Sequence, residues 1–221
     1  MYRENMIQQE GARLMLITHR TARLTEYEEA RLAIEGGCRW VQLRMKGTLN
    51  LDDARRLSVL CKERNTLLCI DDDVEIALAS GAGGVHVGKN DMPVAEVWEH
   101  VRAAGRERDF IVGATANTFE DICRAAEQGA SYIGLGPYRF TQTKEKLSPV
   151  LGLEGYREIL KQCREAGIHL PVYAIGGIEA ADIPELMQTG ITGIAISGSI
   201  VSADDPTAAT CHLLKLITHN S

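Results

Sequence analysis

Three short stretches place charged side chains directly after apolar runs. The first, QLRMKG, spans Gln42 to Gly47. If extended geometry continues there, Gln42, Arg44 and Lys46 share one side. Two cations converging on a point suit an anion with several oxygens, such as diphosphate. The second, CIDDDVEIA, ends an apolar run with Asp71, Asp72 and Asp73. Adjacent carboxylates repel one another and resist burial, so they predict a task outside the core. Asp73 can cap a helix that begins at Val74. The third, GKNDMP, carries Asp91. Two carboxylates such as Asp72 and Asp91, brought together beside a diphosphate, make sense around a divalent cation. Few hard oxygen ligands, completed by water and phosphate, describe Mg²⁺.

These residues need elements to position them. Apolar runs rich in Val, Ile and Leu recur at 13–18, 39–44, 67–70, 84–87, 110–114, 131–135, 171–175 and 193–196. Between and after them, helical patterns are predicted at 25–36, 50–64, 73–80, 93–104, 118–128, 152–166, 180–189 and 206–217. Such alternation implies parallel strands with helical crossovers. Eight repeats fit a closed (β/α)8 TIM barrel, a single α/β domain. A doubly wound sheet is the competitor, but no Gly-x-Gly-x-x-Gly turn follows the first run. Residues 1–12 read as an N-terminal extension, and 13–221 as the barrel that would carry catalysis.

In such a barrel the chemistry lies at the C-terminal strand ends. The fifth run leads to Thr115. The sixth leads into the long loop GPYRFTQTKEKLSPVLG, whose Thr141, Thr143, Lys144 and Lys146 suit phosphate contact and closure. Gly176 and Gly177 follow the seventh run, and Ser197, Gly198 and Ser199 follow the eighth. Backbone amides of paired glycine turns at these two strand ends commonly bind phosphate. His86, between Val85 and Val87, reads as a hydrogen-bonded core histidine rather than a catalytic one. No nucleophile motif is present. The rim therefore offers two anion sites, one cationic and one rich in backbone amides.

Bulk composition narrows the partners. A net charge of −6 and 5% aromatics argue against nucleic acid. No apolar run approaches the roughly 20 residues needed to span a membrane. The start, MYRENMIQQEGAR, lacks the apolar segment of an export signal. Six scattered cysteines without a Cys-x-x-Cys pair fit reduced thiols, so a cytoplasmic location is expected. Oligomeric state is left open, a homo-oligomer being one option.

The motifs QLRMKG, DDDVEIALASGAGGVHVGKND, GATANT, GLGPYRFTQTK, AIGGI and ISGSI, in this order and spacing, resemble the thiamine phosphate synthase family over nearly the whole chain after residue 13. The resemblance implies two small-molecule substrates, a pyrimidine diphosphate and a thiazole monophosphate, joined with release of diphosphate. It implies that Arg44, Lys46 and Lys144, helped by Thr115, hold the diphosphate, and that Asp72 and Asp91 hold Mg²⁺. It further implies that Thr141, Thr143, the Gly176–Gly177 amides and the Ile196–Ser197 turn hold the thiazole phosphate. Gln42 and Asp71 stand among the substrate contacts. Asp71 departs from the family, where Asn is usual, and Lys89 and Asn90 stand where Gln and Glu are usual. The expectation is that Asp71 and Lys89 offset each other electrostatically. Arg139 also departs, and is expected either to add a phosphate contact or to face solvent. Three other readings keep the barrel: a tautomerase-like isomerase acting on one thiazole phosphate, an idle phosphate-binding barrel, and a phosphosugar isomerase.

Overall fold

The computed structural model describes residues 7, 10–45, 47, 49–140 and 149–219. Lys46, Thr141, Thr143, Lys144 and Lys146 therefore lie outside the described residues.

Eight parallel strands close into one barrel in chain order. They are β1 (Leu14–Ile17), β2 (Trp40–Leu43), β3 (Leu67–Asp71), β4 (Gly84–Val87), β5 (Ile111–Ala116), β6 (Tyr132–Leu135), β7 (Val172–Ile175) and β8 (Gly193–Ile196). Strand β8 returns to β1 with Leu14 opposite Ile194, which leaves no free edge. Both faces of most strand residues are buried, so each strand reads in sequence as an unbroken apolar run.

The helical layer is α1 (Glu26–Glu35), α2 (Leu51–Glu63), α3 (Val74–Ser80), α4 (Val94–Ala103), α5 (Phe119–Glu127), α6 (Gly152–Glu165), α7 (Ile183–Gln188), α8 (Gly198–Val201) and α9 (Pro206–His219). Helix starts are locally encoded. Thr25 and Glu28 form a capping box on α1, and Asn50, Asp73 and Thr118 cap α2, α3 and α5 through their side chains. The helix predicted at 180–189 begins as a 3-10 turn, Ala180–Asp182, before α7. Helix α8 was not foreseen, because four residues are too few for a periodic signal.

Strand alternation divides the core in two. Leu14, Leu16, Val41 and Leu43 face the helices, whereas Met15, Ile17, Trp40 and Cys69 fill the barrel. Inside, Trp40, Tyr132 and Tyr173 pack edge to face, with centroids 4.7 to 5.9 Å apart. Three rings fit because neighbouring strands supply glycine beside them. A Cβ on Gly113 would overlap the Tyr132 ring, and one on Gly193 would lie 2.6 Å from Tyr173 Cε1. The barrel is thus a packed core rather than a pore.

The lead expected as an extension contributes to this core. Ile7 and Ala12 are buried in the inner cluster. A 3-10 turn, Glu10–Arg13, crosses the expected boundary at residue 13. Tyr173 Oη donates to Ala12 O at 3.1 Å, and Arg39 N donates to Gly11 O at 2.9 Å. Among the described residues no helix is long and apolar enough to cross a membrane.

Candidate active site

The top layer of the barrel interior is polar. Gln42 is buried on β2, and its Nε2 donates to Asp71 Oδ1 at the end of β3. Asp71 Oδ2 lies 3.4 Å from Arg44 Nε. The β1 end fixes this arginine by its backbone. Thr18 Oγ1 accepts from Arg44 N and donates to Arg44 O, both at 2.9 Å. Glu29, buried on α1, in turn accepts from His19 N at 2.8 Å. Burial pushes the Glu29 carboxyl up to about 7, against the lowering effect of that amide.

The electrostatic pairing expected between Asp71 and Lys89 is not what the chain builds. Asp71 has Arg44 as its cation, while Lys89 Nζ donates to Asp121 Oδ2 at 2.7 Å. Burial pushes Asp121 up, but bonds from Lys89 and the Asn117 N–H outweigh it and hold the carboxyl below its ordinary range. The two departures serve separate ion pairs on different strand ends.

His86 is the Cα partner of Asp71 across β3 and β4, which continues the polar floor. Its Nε2 lies 3.0 Å from Thr115 Oγ1, and its Nδ1 lies 3.1 Å from Tyr132 Oη. Burial first, and then the Cys69 thiol, push the Tyr132 phenol well above its ordinary value, so it stays neutral. His86 is the buried, hydrogen-bonded residue expected, and it also orients Thr115, a link that the sequence does not display.

The three aspartates have three environments. Asp73 Oδ1 accepts from Ile76 N at 2.8 Å and caps α3. Asp72 holds a left-handed φ of 64°, with its N–H bonded to His86 O at 2.8 Å. This kink takes it out of the strand alternation, in a conformation that Asp tolerates better than most residues. Asp91 lies in the next loop, after β4. Its Oδ2 accepts from Gly88 N at 2.8 Å, and a Cβ at Gly88 would lie 2.6 Å from that oxygen. Asp72 and Asp91 thus stand on adjacent loops, with the Asp91 carboxylate close against Gly88. Among the described residues no cluster of three His, Cys, Asp or Glu could hold a metal. Two carboxylates are nonetheless the donor type that Mg²⁺ takes, since it commonly uses one or two of them and completes its shell with water and phosphate.

Across the mouth, Gly176 and Gly177 have φ of 93° and 70°. A Cβ on either would lie 2.9 Å from Pro137 or Arg139, so glycine is required by both angle and space. Ser199 Oγ donates to Ile178 O at 3.1 Å and ties this turn to α8. The Ser197 Oγ is buried and has no hydrogen-bond partner among the described residues, a state that suits an anion-binding hydroxyl. Ile196 turns its side chain into the helical layer, so only its backbone can serve the site.

Arg139 is on the solvent-exposed surface, as one of the two expectations had it, but its guanidinium is engaged by protein groups. It donates through Nη1 and Nη2 to Asp182 at 2.9 and 2.8 Å, and through Nη1 to Gly177 O at 2.7 Å. Burial raises the Asp182 carboxyl, but Arg139 outweighs it and holds the group below its usual range. Thr18, Tyr132 and Asp182 were all missed by sequence reasoning. Each acts through a partner distant in the chain, so none carries a local signal.

A closed parallel barrel with a charged cluster at β2–β3 and glycine turns at β7–β8 defines a phosphate-handling (β/α)8 protein. Within that class, the chain belongs to the thiamine monophosphate synthase (TMP-TENI) family, whose model matches residues 14–200. The thiamine-phosphate synthase of Phocaeicola vulgatus is 54% identical over 92% of this chain and 97% of that relative. That of Bacteroides thetaiotaomicron is 50% identical over 92% and 96%. The solved thiamine phosphate pyrophosphorylase from Pyrococcus furiosus superposes with a TM-score of 0.82, at 33% identity, over 96% of this chain and 98% of that one.

Proposed function

We propose that this protein is a transferase that joins 4-amino-2-methyl-5-(diphosphooxymethyl)pyrimidine to a thiazole phosphate, forming thiamine phosphate and releasing diphosphate. The observation that carries this reading is the 54% identity to a thiamine-phosphate synthase along nearly the full length of both chains. The geometry accords with it: a cation and a buried polar floor lie on one side of the mouth, and glycine amides on the other.

The chemistry asks for alignment and charge stabilisation rather than a nucleophile. The pyrimidine 4-amino group pushes electrons into the ring, the bond from the exocyclic carbon to the diphosphate oxygen breaks, and the thiazole nitrogen forms a bond to that carbon. Arg44, with Lys46 and Lys144, takes up the departing negative charge. Thr115, oriented by His86, donates to a diphosphate oxygen. Gln42 and Asp71 form the floor under the pyrimidine. The Gly176 and Gly177 amides, the Ile196–Ser197 turn, Thr141 and Thr143 hold the thiazole phosphate. Asp72 and Asp91 are the carboxylates that would hold Mg²⁺, which when bound supplies positive charge against the diphosphate. The test is direct: purified protein, both substrates and Mg²⁺ are mixed, and thiamine phosphate and diphosphate are measured. Equal yields of the two products support the reading, and absence of both overturns it.

A further inference from the structure

We propose that Arg139 is a positioning residue that aims three successive backbone amides, those of Gly176, Gly177 and Ile178, into the mouth as a cradle for the thiazole phosphate. This rests on the function proposed above and adds a component to it.

The argument begins with carbonyls. Tyr138 N donates to Ile175 O at 2.9 Å, and Arg139 N donates to Gly176 O at 2.9 Å. The Arg139 side chain donates to Gly177 O at 2.7 Å. Three consecutive carbonyls of the turn after β7 are thus drawn to the segment after β6. In a planar trans peptide the C=O and the following N–H point in opposite directions. The amides of Gly176, Gly177 and Ile178 must therefore point away from that segment. Two consecutive left-handed glycines permit three peptide planes to share one orientation. Among the described residues, no group accepts from these three amides. Successive N–H groups held in this way form an anion-binding concavity.

The third carbonyl depends on a side chain, so its alignment depends on what aims that side chain. Asp182 does so with a two-point grip, and its Oδ2 also accepts from Glu179 N at 2.8 Å. The Tyr138 ring stacks beneath the guanidinium, 5.3 Å from its carbon. An exposed ion pair by itself would contribute little. Here its geometry fixes a peptide plane, and the effect belongs to ligand binding more than to folding.

Arg139→Ala, Arg139→Lys, Asp182→Asn and the double variant Arg139→Ala/Asp182→Asn are compared with the wild type. In the synthase assay, Arg139→Ala raises KM for the thiazole phosphate about tenfold, as expected for a lost hydrogen-bonded alignment. KM for the pyrimidine diphosphate and kcat stay essentially unchanged. Lys, without the planar fork, recovers little of the loss, and the double variant is no worse than Arg139→Ala. A simple loss of folding would instead affect both substrates and lower the melting temperature in step. Equal rises in both KM values, or an unchanged KM for the thiazole phosphate, overturn the proposal. Titration with inorganic phosphate, followed by calorimetry, separates the two levels of inference. Should the wild type make no thiamine phosphate, the proposed function fails, yet weaker phosphate binding by Arg139→Ala still supports the cradle. Phosphate affinity equal in the two proteins overturns it.

Discussion

Asp71 sits between two groups with opposing needs. It accepts from Gln42 and partly neutralises Arg44, the cation we propose for the diphosphate. Asp71→Asn keeps an acceptor for Gln42 while freeing the guanidinium. We expect KM for the pyrimidine diphosphate to fall about two- to fivefold, the range of one partly exposed ion pair. Lys89→Gln should add independently, because Lys89 is bound to Asp121 rather than to Asp71. A double-mutant cycle with coupling above about 0.5 kcal/mol would contradict this separation. The individual charged residues were legible in the sequence, since charges after apolar runs stand out. Their pairing was not, because two ion pairs made across strand ends leave no trace in local spacing.

At the scale of elements, the junction of β3 and α3 divides its labour between neighbouring aspartates. Asp73 is the cap of α3, so Asp73→Ala should lower stability by about 1 kcal/mol. Asp72→Asn keeps a residue that tolerates the left-handed φ while removing the charge. It should leave the melting temperature nearly unchanged and reduce turnover at limiting Mg²⁺. Chemical denaturation and metal titration of the two variants check the contrast. Strand and helix positions were largely readable, because β/α alternation changes the hydrophobic period at each junction. Caps such as Thr118 were visible too. The short α8, the 3-10 start of α7 and the Arg139–Asp182 link were not, being too brief or too non-local for any periodic pattern.

The whole molecule depends on how its barrel is filled. Gly113→Ala forces a methyl into the Tyr132 ring, so a loss of about 1–3 kcal/mol is expected, read as a lower denaturation midpoint. A pH effect also belongs to this scale. The Glu29 carboxyl has a folded value of about 7, above that of an unfolded glutamate. Its contribution is therefore fully present below the unfolded value and is lost as pH rises through about 7. The melting temperature should decline between about pH 5 and pH 8 from this group, and Glu29→Gln should flatten the decline. A profile unchanged by that substitution would assign the pH dependence elsewhere. The closed barrel was foreseen from eight repeats, but the aromatic trio within it was not, since Trp40, Tyr132 and Tyr173 lie far apart in sequence.

That trio has a consequence for traffic. The edge-to-face rings fill the axis, and Tyr173 is bonded to the turn at Glu10–Arg13 on the far side, so the described residues close that end. The reaction we propose would therefore admit and release its molecules at the opposite end, where the strand C-termini lie.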